Sequence, residues 1–343
     1  MNVGLVGFGL AGQAFHAPVI RAVDGLRLTT IVRRSGEPDP RYADVEFVRS
    51  VDELLTRAID VVVVATPNLT HHPIATQCLQ AGRHVVVDKP FTTTTPEAES
   101  LVQLARTQQR VLTVYQNRRF TGDFVTVQRL LAEGALGRVV SFESHFDRFR
   151  AELKPNAWRE RPEPGAGVWF DLGPHLLDQA ILLFGTPDAI AADIRIERDG
   201  AAVDDAFDVT LHYPTMRALL RATMLARAPG PTFAVYGTQG SFIKHGNDPQ
   251  ETALRAGRTP DEPGWGTEPP ELHGTLTTAL GTRAIATTPS SFTRYYENLR
   301  DAVRGTTQLA VTPDHALSVM HGLELAVLSS RQRRVLAWGP EVG

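Results

Sequence analysis

The sequence predicts a two-domain α/β protein, in which a doubly wound parallel sheet precedes an α+β domain with a mostly antiparallel sheet. Three observations support this prediction. Short β-rich runs alternate with helical patterns over the first ~118 residues. Later strand-like runs then follow one another without intervening helices. Finally, 343 residues are enough for two domains. The predicted domains are residues 1–118 and 119–343.

The elements of the first domain are recognised by their hydrophobic patterns. Asp60–Ala65 lacks polar alternation, as expected for a parallel strand that is covered on both faces. The helix over about Leu69–Ala81 ends at Gly82, a residue type that often follows a helix. The other predicted strands are Val3–Val6, Leu26–Val32, Glu46–Val48, His84–Val87 and Val111–Val114, and the other helices are about Leu10–Ala22, Asp52–Arg57 and Pro96–Gln108.

The second domain has a different pattern. A loop rich in Pro and Gly, Lys154–Gly167, precedes a helix near Asp171–Phe184. Residues 245–290 are rich in Gly, Pro and Thr, and their pattern favours no assignment. The remaining predicted strands are Arg138–Phe146, Ala189–Glu197, Ala206–His212, Ala218–Met224 and Phe233–Tyr236, and the remaining helices are about Asp123–Glu133, Phe292–Val303 and Pro313–Ser330.

The composition argues against several classes of protein. Hydrophobic residues make up 42% and charged residues 21%, as in globular domains. A net charge of −3 gives no basic footprint for nucleic acid or an anionic membrane. Cys78 is the single cysteine, which excludes an internal disulfide and fits a reducing compartment. No apolar run approaches ~18 residues and no Cys/His cluster has metal-ligand spacing. We therefore expect a soluble cytoplasmic protein without a metal.

A glycine-rich turn between the first strand and the first helix predicts a dinucleotide site. It consists of Gly7, Phe8, Gly9, Leu10, Ala11 and Gly12. In this strand–turn–helix context, Gly7 permits the tight turn, Gly9 lets the backbone approach a pyrophosphate, and Gly12 allows close helix–strand packing. The start of the helix then presents backbone N–H groups to the phosphates.

The end of the second strand predicts which dinucleotide binds. An NAD site places Asp or Glu about 20 residues beyond the glycines, to hold the ribose 2′-hydroxyl. Here the position carries Arg33, followed by Arg34 and Ser35. A guanidinium pairs with a 2′-phosphate, which a carboxylate would repel. The alternative is two solvated loop arginines. The missing acid favours NADP over NAD.

The residues that follow two neighbouring strands predict that the carboxyl edge of the parallel sheet carries reactive side chains. Thr66, Pro67 and Asn68 follow the central strand at its carboxyl end, where open α/β sheets bind ligands. The next strand leads to Asp88 and Lys89. Lysine is rare in this chain, with 3 lysines among 35 basic residues, and unlike arginine it can titrate and act as a compact donor. The alternative is that Lys89 is an ordinary surface residue.

A third group of polar residues lies on the helix near Asp171–Phe184. Spacings of four and three residues put Asp171, His175 and Asp178 on one helical face. His175 can accept a hydroxyl proton near neutral pH, Asp178 can orient its ring, and Asp171 can anchor a neighbouring hydroxyl. Lys89 can stabilise charge on an alcohol oxygen. The alternative for His175 is a capping or core histidine.

These motifs together resemble the glucose–fructose oxidoreductase/inositol dehydrogenase family, Gfo/Idh/MocA. The resemblance implies an N-terminal Rossmann domain and a C-terminal α+β domain with a large open sheet. Asp88-Lys89-Pro90 stands where the family has Glu-Lys-Pro, and Asp171 and His175 match its Asp-x3-His pair. Residues 7–18, 116–120, 158–160 and 237–242 look closer to the NADP-dependent scyllo-inositol dehydrogenase branch. Homodimers or homotetramers are expected from this resemblance.

The predicted function is NADP(H)-dependent interconversion of a secondary alcohol of a cyclitol or sugar with its ketone. Polar residues in the linking loops are candidates to line the site of a polyhydroxylated substrate: Asn117, Arg118, His145, Asp147, Arg148, Arg150, Trp158 and Arg159. Trp158 could stack on a ring face, and ordinary surface polarity is the alternative for the others. Two rival functions are a non-catalytic NADP sensor on the same fold and a glycosidase that uses tightly held NAD.

Overall fold

The computed structural model describes residues 1–153 and 160–339, which form two compact units. The first unit contains Met1–Phe120 together with Pro249–Trp265 and Ser290–Leu317. The second contains Thr121–Asp248, Gly266–Pro289 and the residues from Ser318 onward. Two segments from the later part of the chain therefore belong to the first unit.

The described helices and strands are numbered in chain order. The strands are β1 (Asn2–Val6), β2 (Arg27–Val32), β3 (Glu46–Val48), β4 (Val61–Val64), β5 (His84–Val87), β6 (Leu112–Val114), β7 (Val139–His145), β8 (Ala189–Arg195), β9 (Ala206–His212), β10 (Arg217–Thr223), β11 (Phe233–Gly237), β12 (Gly240–Lys244), β13 (Gly274–Thr278), β14 (Gly281–Ile285) and β15 (Leu336–Ala337). The helices are α1 (Ala17–Arg21), α2 (Val51–Leu55), α3 (His71–Gln80), α4 (Thr95–Thr107), α5 (Gly122–Ala132), α6 (Gly167–Phe184), α7 (Gln250–Arg255), α8 (Thr293–Val303) and α9 (Pro313–Gln332).

The first unit is built on a six-stranded sheet in the order β3-β2-β1-β4-β5-β6, with every neighbouring pair parallel. The four valines of β4 are fully buried, as the unbroken apolar run predicted. A π-helical turn, Ala11–His16, leads from the glycine-rich loop into α1. Side-chain caps begin two of the helices, since Ser50 accepts from the Glu53 N–H in α2 and Thr94 from the Glu97 N–H in α4. The predicted doubly wound sheet is confirmed.

The second unit contains a nine-stranded sheet in the order β14-β13-β12-β11-β7-β10-β9-β8-β15. Its pairs are antiparallel except β7 with β10, so the predicted mostly antiparallel sheet is confirmed. Phe207, Val209 and Leu211 alternate along β9 and are buried, and α6 packs against β9 and β10. The unassigned region 245–290 contributes α7, β13 and β14. No helix within the described ranges is long and apolar enough to cross a bilayer.

Candidate active site

The carboxyl edge of the parallel sheet brings together the loops that the sequence singled out. The Asp88 N–H donates to the Val64 carbonyl at 2.8 Å, and the Tyr115 N–H donates to the Val87 carbonyl at 2.9 Å. The Ala65 N–H likewise donates to the carbonyl of Val6, the last residue of β1, at 2.8 Å. The residues that follow β1, β4, β5 and β6 therefore lie along one edge, where sheets of this kind bind ligands.

The three glycines of the first loop have different surroundings. Gly7 has φ +100°, and a Cβ there would lie 2.4 Å from the Ala65 carbonyl oxygen. A Cβ on Gly12 would lie 2.2 Å from the Gly7 carbonyl oxygen. A Cβ on Gly9 would meet no atom of the described residues within 4 Å. The fold thus explains Gly7 and Gly12, whereas the open space at Gly9 fits a backbone that a phosphate approaches closely.

The loop after β2 carries the predicted 2′-phosphate residues. The Arg33 guanidinium lies over the Phe8 ring, 6.0 Å from its centroid, and donates to the Glu37 carbonyl. Arg34 and Ser35 are exposed. The Arg49 guanidinium donates to the carbonyls of Arg33 and Gly36 at 3.1 and 2.9 Å, which closes the loop. The Arg33 side chain therefore lies beside the glycine-rich turn.

His71 joins the loop after β4 to the loop after β5. Its Nε2 lies 2.9 Å from the Thr66 carbonyl oxygen and its Nδ1 lies 2.9 Å from the Pro90 carbonyl oxygen. Burial lowers the pKa of His71, against the opposing influence of Asp88 and the carbonyl groups. The Thr70 hydroxyl lies 2.7 Å from the Thr66 hydroxyl. This ring therefore ties the Thr66–Asn68 loop to the loop that carries Lys89.

Asp88 and Lys89 lie at the end of β5, and the peptide bond from Lys89 to Pro90 is cis. The Asp88 Oδ1 accepts the Lys89 N–H at 2.7 Å, and its Oδ2 faces the His16 Nε2 at 3.6 Å. Burial alone would raise the pKa of Asp88, but the His16 imidazole and the Lys89 ammonium outweigh it, and the pKa lies below its ordinary value. This edge of the sheet therefore holds an ionised carboxylate next to the lysine.

In the second unit, α6 carries the predicted acid–base group on one face. The helix is continuous from Gly167 to Phe184, so Asp171, His175 and Asp178 recur one turn apart. His175 and Asp178 are buried, with 6% and 1% of their surfaces exposed, and Asp171 is half-buried. In this group of three side chains, the imidazole can accept a proton and the two carboxylates can stabilise the resulting positive charge.

The start of α6 depends on a residue far away in the sequence. Ala166 at the N-cap offers no side-chain acceptor, and the Asp204 Oδ2 accepts the Trp169 N–H at 2.6 Å instead. A Cβ on Gly167, which has φ +88°, would lie 2.1 Å from the Asp204 Oδ1. Burial raises the pKa of Asp204 to about 6. The sequence predicted that the helix starts at Asp171, whereas this cap and Gly167 let it begin four residues earlier.

The remaining predicted site residues have various surroundings. Arg118 is paired with Glu251 at 2.6 Å, Asn117 is half-buried and Arg150 is exposed. His145 lies between Glu143 and Asp147, with nitrogen–oxygen distances of 3.6 and 3.5 Å, and Arg148 stacks on the Phe146 ring. Trp158 and Arg159 lie outside the described residues, as does Lys154. Among the residues that the structure describes, no group of three or more His, Cys, Asp or Glu could hold a metal ion.

Sequence reasoning missed several residues that support the site. His16 and Tyr296 lie behind Asp88, Arg49 braces the Arg33 loop, and Asp204 caps α6. The segment Phe15-His16-Ala17-Pro18 marked His16 as part of a resemblance but gave it no role. Spacing could not find Tyr296, whose partner is 280 positions away, and no motif marked Arg49 or Asp204.

Comparison with known proteins identifies the family. A profile described as the oxidoreductase family, NAD-binding Rossmann fold, matches residues 1–116, and its partner, the C-terminal alpha/beta domain, matches residues 128–337. The chain belongs to the Gfo/Idh/MocA oxidoreductase family. The family resemblance inferred from the motifs is thereby confirmed, together with the Rossmann and C-terminal domains that it implied.

Relatives within Gfo/Idh/MocA match this chain from end to end. The uncharacterized oxidoreductase YdgJ of Escherichia coli is 42% identical, and the match covers 98% of each chain. The scyllo-inositol 2-dehydrogenase (NADP(+)) IolW of Bacillus subtilis is 36% identical, covering 98% of this chain and 95% of IolW. The solved structure of the putative oxidoreductase yvaA from Bacillus subtilis has a TM-score of 0.95 and 36% identity, covering 98% of this chain and 97% of that chain.

Proposed function

We propose that the protein is an NADP(H)-dependent oxidoreductase that interconverts a secondary alcohol of a cyclitol or sugar, of the scyllo- or myo-inositol type, with its ketone. The observation that carries the proposal is the position of Lys89. It follows the buried strand β5 at the carboxyl edge of the Rossmann sheet, on the same edge as the glycine-rich loop. The full-length similarity to a scyllo-inositol 2-dehydrogenase supports the substrate class.

The proposed roles follow from the chemistry of alcohol oxidation. A nicotinamide cofactor held by the glycine-rich loop and the loop after β2 would supply the acceptor for the hydride of the carbinol carbon. His175 takes the hydroxyl proton, Asp178 supports the imidazolium, and Asp171 holds a neighbouring hydroxyl. The Lys89 ammonium stabilises negative charge on the oxygen as it becomes a carbonyl. In the reverse direction His175 returns the proton, so that protons and electrons balance both ways.

The choice of NADP is supported by the loop after β2. The residues directly after Val32 are Arg33 and Arg34, where an NAD site would have Asp or Glu. Arg49 closes this loop through two carbonyl contacts, which leaves Arg34 and Ser35 exposed at its turn. An exposed guanidinium and a hydroxyl suit a phosphate, since both donate to its oxygens. IolW, which resembles this chain over nearly its whole length, carries NADP(+) in its name.

A cofactor and substrate panel tests the proposal. Purified protein is mixed with NADP⁺ or NAD⁺ and with scyllo-inositol, myo-inositol, aldoses or deoxy sugars, and absorbance is followed at 340 nm. We expect reduction of NADP⁺ with at least one polyol, and kcat/KM at least tenfold lower with NAD⁺, which corresponds to about 1.4 kcal/mol. Tight NADP binding without turnover of any polyol would favour the sensor. Co-purifying NAD with glycoside cleavage would favour the glycosidase.

A further inference from the structure

His16 connects the interior of the first unit to Asp88. Its side chain is fully buried, and its Nδ1 lies 2.6 Å from the Tyr296 hydroxyl oxygen. Its Nε2 lies 3.6 Å from the Asp88 Oδ2. Within the described residues this buried Nε2 makes no hydrogen bond, and it faces a carboxylate that is 17% exposed. The three side chains thus form a chain from the core to the edge of the sheet that carries Lys89.

The hydrogen-bonding properties of these groups fix the direction of the chain. Burial raises the pKa of Tyr296 well above its ordinary value, so its hydroxyl keeps its proton and can donate. An ionised Asp88 can only accept. The neutral imidazole that satisfies both neighbours accepts at Nδ1 and carries its proton at Nε2, directed at Asp88. The distance of 3.6 Å is longer than a hydrogen bond, and a small movement of either side chain would close it.

Packing alone does not explain a histidine at this position. The His16 ring lies 4.3 Å from the Tyr115 ring and 6.3 Å from the Tyr296 ring, centroid to centroid. An apolar side chain would fill the same space without burying an unsatisfied nitrogen, which is costly. An interaction between the His16 Nε2 and the Asp88 carboxylate explains why this buried position carries a nitrogen.

We propose that His16 is a positioning residue that, held by Tyr296, keeps Asp88 anionic and oriented beside Lys89. The proposal rests on the proposed function of Lys89. The Asp88 Oδ1 accepts the Lys89 N–H, so the orientation of this carboxylate is linked to the backbone that carries the lysine. The titratable groups that face Asp88 are His16, His71, Lys89, Tyr115, Tyr295 and Tyr296. Among them, His16 comes from a different element than Asp88 and brings its Nε2 to 3.6 Å from the Asp88 carboxylate.

Replacing His16 should therefore change the pH profile of the enzyme. In His16→Leu the space stays filled but the donor is lost, so burial raises the pKa of Asp88. We expect the acid limb of kcat/KM to move up by about one pH unit, a tenfold loss on that limb, with little change at the plateau. In His16→Gln the amide can again donate toward Asp88 and should restore the wild-type profile. His72→Leu is the matched control, since the His72 Nε2 lies 2.8 Å from the Ser100 hydroxyl near the surface.

A second variant covers the case in which His16→Leu does not fold. Tyr296→Phe removes the hydroxyl group next to the His16 Nδ1 and leaves the ring in place. The His16 imidazole is then no longer held in one tautomer. This substitution should shift the acid limb in the same direction by a smaller amount. A uniform loss of kcat at every pH, which His16→Gln fails to rescue, would overturn the proposal, because a purely structural role gives that result.

A carboxyl titration separates this proposal from the proposed function. Protein with ¹³C-labelled aspartate carboxyls is titrated by NMR, and the Asp88 signal is identified with Asp88→Asn. A higher titration midpoint in His16→Leu than in wild type supports the positioning role even if no polyol is turned over, in which case only the proposed function fails. Equal midpoints in the two proteins would refute the role of His16, whatever the turnover.

Discussion

The different surroundings of Gly9 and Gly12 predict opposite effects of the same substitution. In Gly12→Ala the new methyl group would lie 2.2 Å from the Gly7 carbonyl oxygen, so backbone atoms must separate by about 1 Å to reach a normal contact. Overpacking of this kind costs about 1–3 kcal/mol of unfolding free energy. In Gly9→Ala the methyl group meets no atom within 4 Å in the part of the chain that the structure describes. The unfolding free energy should then change by less than about 0.5 kcal/mol.

For cofactor binding we expect the opposite order, with a larger effect of Gly9→Ala than of Gly12→Ala. A methyl group on Gly9 stands where a pyrophosphate would approach the backbone, so NADPH should bind at least tenfold more weakly, about 1.4 kcal/mol. Thermal unfolding without cofactor and NADPH fluorescence titration measure the two effects. Gly12→Ala should lower Tm by about 2–4 °C for each kcal/mol lost. Equal thermal destabilisation by both substitutions, or wild-type NADPH affinity in Gly9→Ala, would refute this interpretation of the loop.

Three further predictions concern the 2′-phosphate loop, the cap of α6 and the buried thiol. Arg33→Asp should weaken NADP binding far more than NAD binding in parallel titrations; equal losses would remove Arg33 from cofactor choice. Because the pKa of Asp204 is raised to about 6 in the folded state from 3.8, the folded state binds more protons between those values, and this group lowers stability as pH rises from about 4 to 6. Asp204→Asn should remove that decline and be more stable at pH 7.5, by on the order of 2 kcal/mol, in urea unfolding; a less stable variant would contradict it. Burial raises the pKa of Cys78 to about 12, so a thiol reagent at pH 8 should label it only after denaturation, and rapid labelling of native protein would be the contrary result.

Local patterns predicted the first unit well because its signals are local. The valines of β4 and β5 have no polar alternation, and the glycine-rich turn begins a helix directly after a strand. Each signal lies within about ten residues of the element that it predicts. The antiparallel sheet was predicted from strand-like runs that follow one another without intervening helices, which is also a signal read directly along the chain.

The remaining features depend on partners that are distant in sequence. Strands β13 and β14 lie in a segment rich in Gly, Pro and Thr, whose pattern favours no assignment. Their structure is decided by the pairing of β13 with β12 and of β14 with β13. The start of α6 depends on Asp204. His16 and Tyr296 are 280 positions apart, so no spacing rule could join them. Helix α8, which supplies Tyr296, folds with the N-terminal unit although it follows most of the second.

The most direct test of the central claim compares turnover and cofactor affinity in Lys89→Met. The substitution removes the ammonium and leaves the glycine-rich loop and the Arg33 loop unchanged. We predict that kcat with the best polyol falls by at least about 10²-fold, the contribution of a group that stabilises charge in the transition state. The Kd for NADPH should stay within about threefold of wild type, less than 0.7 kcal/mol. A Lys89→Met enzyme that turns over its polyol at the wild-type rate would contradict the account.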